Sequence, residues 1–123
     1  MIVGVVNAAR EATIPIAVCD ARGREQPFEA VIDTGFDGAL TLPNATIVAL
    51  GLPWIGRGSS ILADGSQQLF DIFFAEVVWD GQRRVVQVEA SDVDPLVGMR
   101  LLTGYDLRIQ VVVGGRVTIE ELP

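Results

Sequence analysis

The stretch SSILADGSQQLFDIFFAEVVWDGQRRVVQVEA (Ser59–Ala90) decides the architecture. Ser60-Ile61-Leu62 and Gln68-Leu69-Phe70 flank Ala63-Asp64-Gly65-Ser66, and Asp-Gly between strand-forming runs is a strong hairpin signal. Nothing from Gln67 to Trp79 interrupts a strand, which at ~3.3 Å per residue would span roughly 40 Å. A strand of that length must bend around something. Alternation sets Phe70, Ile72 and Phe74 on one face and Leu69, Phe73, Val77 and Trp79 on the other, so both faces should be covered. A second turn, Asp80-Gly81, leads into Arg83–Ala90, where Val86, Val88 and Ala90 face inward.

Upstream, Thr13–Cys19 reads as a strand closed by a turn at Asp20-Ala21-Arg22-Gly23, and Phe28–Ile32 as a second strand running into Asp33. Ala39–Leu42 is a short third. Asn44 is then expected to cap a helix reaching Leu50, with Gly51 and Pro53 stopping it. Downstream, Asp94-Pro95 breaks the chain before Leu96-Val97-Gly98. Met99–Tyr105 predicts two helical turns ending at Gly104, and Leu107–Val113 with Arg116–Glu120 a last hairpin across Gly114-Gly115. About eight strands, two short helices and turns every 8–12 residues favour a mostly-β, small closed β-barrel. No linker or low-complexity tract divides residues 1–123, so one domain is expected. The terminal strands, Ile2–Val6 and Val117–Leu122, would expose unpaired edges in a monomer.

Composition narrows the chemistry further. Of 123 residues half are apolar, and the net charge is -7. An acidic chain is a poor match for sequence-independent nucleic-acid binding, which needs clustered cations. No run approaches the ~20 apolar residues of a membrane span, and the opening Met1–Val6 has no basic start, so neither anchor nor leader is expected. Cys19 has no partner within the chain, which makes a reducing cytoplasm the default location. The nine cations are all arginine, and histidine is absent. That removes Ser-His-Asp and Cys-His nucleophiles, lysine Schiff bases, the P-loop lysine and histidine-built zinc sites. Acid–base work falls to carboxylates, since arginine stays protonated. No metal or other cofactor is called for.

Val31-Ile32-Asp33-Thr34-Gly35 puts a carboxylate where an apolar strand breaks. Taken alone, the tripeptide reads equally as a turn in which Asp33 accepts local backbone hydrogen bonds. Three features shift the balance: apolar flanks, a glycine-bearing hairpin about thirty residues later, and Leu96-Val97-Gly98 before a short helix. In this order they resemble the retropepsin-like aspartic proteases, the single-domain retroviral type. The likeness is greatest to their prokaryotic members, which carry Asp-Thr-Gly-Phe. It covers nearly the whole chain, from Ala30 through Phe36 and the hairpin to Met99 and Leu101-Leu102.

The resemblance implies a homodimer in which each chain supplies one Asp33 to a dyad on the two-fold axis. Two carboxylates about 3 Å apart share one proton, so one can take a proton from water while the other protonates the scissile carbonyl. Thr34 matches the position whose hydroxyl bonds across the dimer, and Gly35 the one that lets a substrate backbone approach. Phe36 and Asp37 would border the substrate. Ala63, Asp64 and Gly65 fall at the tip of the flap that closes over it. Gly98 matches the glycine packing behind the catalytic loop. In the family the chain ends interleave between subunits, which here would hide the terminal edges.

Two departures stand out. Asp37 replaces a small polar residue, and Arg100 an acidic one, of the prokaryotic members. We expect the two to form a partly buried ion pair joining loop to helix. Asp64 adds a charge to the flap, where the likeness is one of shape. Of the remaining residues, Cys19 reads as a buried structural thiol with no basic neighbour in sequence. Trp54, Trp79, Phe70, Phe73 and Phe74 read as core or interface, Tyr105 as structural, and Asp92 with Asp94 as too few ligands for calcium.

The expectation is an aspartic endopeptidase, a homodimer cutting an extended peptide at apolar side chains. The rival on the same fold is a non-catalytic peptide-binding or dimerisation module. A two-carboxylate glycosidase needs a second acid about 5–9 Å from Asp33, and the sequence nominates none.

Overall fold

A computed structural model describes residues Met1–Pro123. It contains ten strands: β1 (Ile2–Val6), β2 (Ala12–Cys19), β3 (Glu25–Ile32), β4 (Leu40–Pro43), β5 (Trp54–Ile61), β6 (Gln67–Trp79), β7 (Gln82–Ser91), β8 (Leu96–Val97), β9 (Tyr105–Ile109) and β10 (Arg116–Glu121). Two short helices, α1 (Asn44–Leu50) and α2 (Met99–Leu102), interrupt them. The strands form one mixed sheet in the order β5-β6-β7-β4-β8-β3-β2-β1-β10-β9.

Six of them close a ring of hydrogen bonds. The order β6-β7-β4-β8-β3-β2 returns on itself because β2 also pairs with β6, matching Ala17 to Val78 and Val18 to Val77. The β3–β8 and β4–β7 pairs are parallel, and the rest of the ring is antiparallel. Side chains from every ring strand fill the interior, among them Ile14, Ala30, Leu40, Val77, Trp79, Val88 and Val97. The Trp79 ring meets Tyr105 edge-on at 5.8 Å.

The long strand divides its work. Ala75, Val77 and Trp79 are buried in the ring, while the first half of β6 leaves it with β5 as a projecting hairpin. The expectation that both faces of β6 are covered along its length is therefore corrected. Leu69 is 60 % exposed and Phe74 41 %, because β5 joins β6 by its edge and lays no layer over its faces. Within the hairpin the Phe70 ring fills the space opposite Gly58, where a Cβ would come within 2.5 Å of it.

Other local expectations also shift. Pro43, not Asn44, occupies the N-cap of α1, and no side chain caps the helix. Gly51 ends it in the left-handed conformation (φ 68°), which glycine adopts without steric cost. Helix α2 makes one turn instead of two, because Thr103 turns to extended backbone and Tyr105 already belongs to β9. The last hairpin stops at Ile109, leaving Gln110–Gly115 as its turn.

The chain ends are not free edges. β1 pairs with β10 on one side and β2 on the other, and β10 pairs with β9. The outer edges of the sheet belong to β5 and β9. No helix is long and apolar enough to cross a membrane.

Candidate functional site

The local path of the chain to Asp33 is set by a strand only two residues long. β8 slots between β3 and β4, aligning Val31 with Leu96 and Ile32 with Val97 on one side, and Leu40 with Val97 on the other. The Asp33 N–H then donates to the Val97 carbonyl at 2.9 Å, the bond that ends the β3–β8 ladder. The chain turns sharply there: Phe36 N–H donates to the Asp33 carbonyl (3.2 Å), and Gly35 N–H to the carboxylate Oδ1 (2.9 Å). The other carboxylate oxygen accepts no hydrogen bond within the chain, and the residue is half-buried. A fixed backbone thus holds out one uncommitted carboxylate oxygen.

Behind this turn, three main-chain bonds fasten the loop to the start of α2. Gly98 N–H reaches the Ala39 carbonyl (3.0 Å), Met99 N–H that of Phe36 (2.8 Å) and Arg100 N–H that of Gly38 (3.1 Å). Gly98 is buried, and a Cβ there would strike the Gly38 carbonyl and the Phe36 ring. A Cβ on Gly38 would strike the same ring. Phe36 is therefore wedged between two bare Cα atoms, a contact that requires glycine through close approach. Thr41 adds its hydroxyl as acceptor for Leu96 N–H (3.1 Å). Thr34 and Gly35 are exposed, and the Thr34 hydroxyl makes no hydrogen bond within the chain.

The expected Asp37–Arg100 ion pair is not formed. No Arg100 nitrogen lies within 4.0 Å of an Asp37 carboxylate oxygen, and both residues are exposed. The reason is that backbone bonds already join loop to helix, leaving both side chains to the solvent. Their charges converge on a third group instead. Glu89 on β7 is held above the ordinary carboxylate pKa by burial first and by Asp37 second, while Arg100 pulls it back.

Two openings flank the Asp33–Asp37 loop. The larger, about 900 Å³, lies where β6 diverges from β7. Its walls include Phe36 and Asp37 from the loop, Ser59, Gln68 and Phe70 from the hairpin, and Glu89 from β7. The smaller, about 520 Å³, is bordered by Thr34, Asp37, Arg100 and Tyr105. Asp37 belongs to both; Asp33 lines neither, although Phe36 and Thr34 of the same loop line the larger and the smaller in turn. Ala63, Asp64 and Gly65 do not line the larger cleft, and sit exposed at the hairpin tip. There Asp64 accepts from the Ser66 hydroxyl and N–H, which hold its carboxyl below the usual range.

Glu89 escaped the sequence reading because strand alternation, with Val86, Val88 and Ala90 inward, assigns it to the solvent side. Asp92 does line the large cleft, and Asp94 does not. Cys19 is buried, and burial pushes its thiol up although the fold brings Arg83 near enough to oppose the shift. No three carboxylates or cysteines gather into a group that could hold a metal ion. No protein-family model matches the chain, and no curated protein matches it in a sequence search.

Proposed function

We propose that the protein is an aspartic endopeptidase that works as a homodimer, with Asp33 and its symmetry copy as the reacting pair. In this reading the six-strand ring is the closed barrel of a retropepsin-like protease and the β5–β6 hairpin its flap. The observation that carries it is the setting of Asp33: main-chain bonds fix it, one carboxylate oxygen is uncommitted, and a cleft of about 900 Å³ opens beside its loop under a projecting hairpin.

The chemistry follows from pairing two such groups. Like charges in contact keep one proton between them. The ionised partner takes a proton from water, whose oxygen attacks the peptide carbonyl carbon, while the protonated partner gives its proton to the carbonyl oxygen. Collapse of the resulting diol breaks the C–N bond: the protonated carboxyl gives its proton to the leaving nitrogen, while the ionised one takes a proton from a diol hydroxyl, whose oxygen becomes the new carbonyl. Acid and amine depart with the dyad back in its starting state. Thr34 and Gly35, exposed beside Asp33, are left to meet the partner and the peptide backbone.

A dimer needs surface near Asp33, and the register supplies a candidate. The C-terminal end of β3, the N-terminal end of β2, the C-terminal end of β1 and the N-terminal end of β10 lie side by side. The β9–β10 turn therefore sits at the same end of the sheet as Asp33. It carries Val111, Val112 and Val113, which are 73, 63 and 61 % exposed. Three consecutive exposed valines are a liability in a monomer and an asset at an interface.

The rival reading, a peptide-binding module without turnover, is favoured by the Gly35 N–H bond to Asp33 Oδ1, which alone would justify an aspartate in this turn. Incubating the dimer with an unbiased peptide library at pH 4–7 separates the two. Cleavage by the native protein that Asp33→Asn abolishes supports the protease. Binding without cleavage, in a demonstrated dimer, supports the module.

A further inference from the structure

We infer that the large cleft is built to receive a basic side chain, lysine or arginine, of an extended peptide, and that Glu89 is the residue that selects it. This deepens the proposed function by naming a substrate class for the same site.

Every charged residue lining the cleft is acidic: Asp37, Asp71, Glu89 and Asp92. Asp71 is already satisfied, since Arg57 Nε lies 3.5 Å from it and Trp54 Nε1 donates to it at 3.1 Å. The other three form no ion pair within the chain and accept no side-chain or main-chain hydrogen bond. They do not gather tightly enough for a metal ion. A spaced set of carboxylates in a long cleft suits a cation carried on a chain that other contacts hold in place.

Glu89 is the member whose position the fold controls. Its backbone lies mid-sheet, paired with Ile72 on one side and Thr41 on the other. Its Oε1 approaches Gly38, at the end of the Asp33 loop, to within 3.4 Å of where a Cβ would stand. Arg100 offsets part of the cost of half-burying Glu89 but forms no ion pair with it, and an incoming ammonium or guanidinium would remove the rest. Partial exclusion of water strengthens the attraction. Phe36, Leu69 and Phe70 supply apolar wall for the methylene stem that a basic side chain brings with its charge. The net charge of -7 adds long-range attraction for basic segments. An apolar side chain would fill the wall contacts and leave Glu89 unpaired.

Binding can be read apart from cleavage by using the Asp33→Asn protein. Fluorescent ten-residue peptide pools, with one central position fixed as Lys, Arg, Leu or Glu, would be titrated by anisotropy at pH 7. The Lys and Arg pools should bind at least tenfold more tightly than the Leu and Glu pools. That advantage should shrink with added salt and fall most of the way to parity in Glu89→Gln. Asp92→Asn, on an exposed loop, should reduce it in part, and serves as the variant if Glu89→Gln fails to fold. Equal binding of all pools overturns the inference, as does a preference that survives the substitutions. Basic preference without any cleavage by the native protein would uphold the cleft's role and sink the protease. Cleavage by the native protein with no basic preference would do the reverse.

Discussion

Phe36 packs against Gly98 where a side chain would otherwise stand: a Cβ on Gly98 would fall 2.5 Å from Phe36 Cδ2 and still nearer the Gly38 carbonyl. The contact joins the loop carrying Asp33 to the strand–helix junction behind it, so the rigidity of the candidate site rests on a missing side chain.

Gly98→Ala should therefore destabilise the fold. Neither a carbonyl oxygen nor a wedged ring can withdraw freely, and overpacking of this kind costs roughly 1–3 kcal/mol. A urea titration read by tryptophan fluorescence would measure it. An unchanged midpoint would mean that the loop is looser than its hydrogen bonds imply.

Asp37→Asn should change stability by no more than about 0.5 kcal/mol, as for other exposed side chains without a partner. The same holds for Arg100→Gln. Thermal unfolding of both single variants and the double variant would test this. A coupling between them above about 1 kcal/mol would restore the ion pair that the geometry denies.

Glu89 gives stability a pH dependence of known sign. Its carboxyl is raised by burial and then by Asp37, with Arg100 opposing. A raised acid binds its proton more readily in the folded state, so this group's contribution is fully present below its ordinary carboxylate value. It is lost as pH climbs through the raised one. Glu89→Gln should remove that decline, narrowing or reversing its stability deficit between pH 4 and pH 7. Asp20, held below the usual range by N–H groups of Arg24 and Arg22, works in the opposite direction, as does Asp64. The comparison must thus be native protein against variant at each pH. Parallel pH curves for the two would show that Glu89 is not the group responsible.

Val112→Asp should leave the chain folded and weaken self-association, since the side chain is exposed and is no part of the core cluster. Sedimentation velocity across a concentration series would show a shift toward monomer of at least tenfold in the dissociation constant. Any peptidase activity should fall in step. An unaltered dimer would place the two-fold axis elsewhere.

Much of the local structure was legible in the residues. Asp64-Gly65 and Asp80-Gly81 mark hairpins because each supplies a residue at ease in the turn, with φ of 84° at Gly65 and 80° at Gly81. The uninterrupted run from Gln67 to Trp79 is a strand throughout. Gly51 stops its helix as read. The illegible parts all depend on partners distant in sequence. β8 is two residues long, too short for any periodicity, and exists because β3 and β4 flank it. Asn44 reads as a cap by type, but Pro43 reaches that position first because β4 runs straight into the helix. Asp37 and Arg100 look like a pair as opposite charges on neighbouring elements. Main-chain bonds bring those elements together without them.

What the chain determined unaided was where it turns, which runs extend, and that acid–base chemistry would rest on carboxylates, with Tyr105, hydroxyls and water in support. Those properties travel with residue type: backbone preference, apolar alternation and the absence of histidine and lysine are present before folding. Only the tertiary structure decided that Glu89 faces the cleft with Asp37 and Asp92, and that Asp33 itself does not line it. Such neighbours are set by strand register across the ring, where a shift of one residue would turn each side chain to the opposite face.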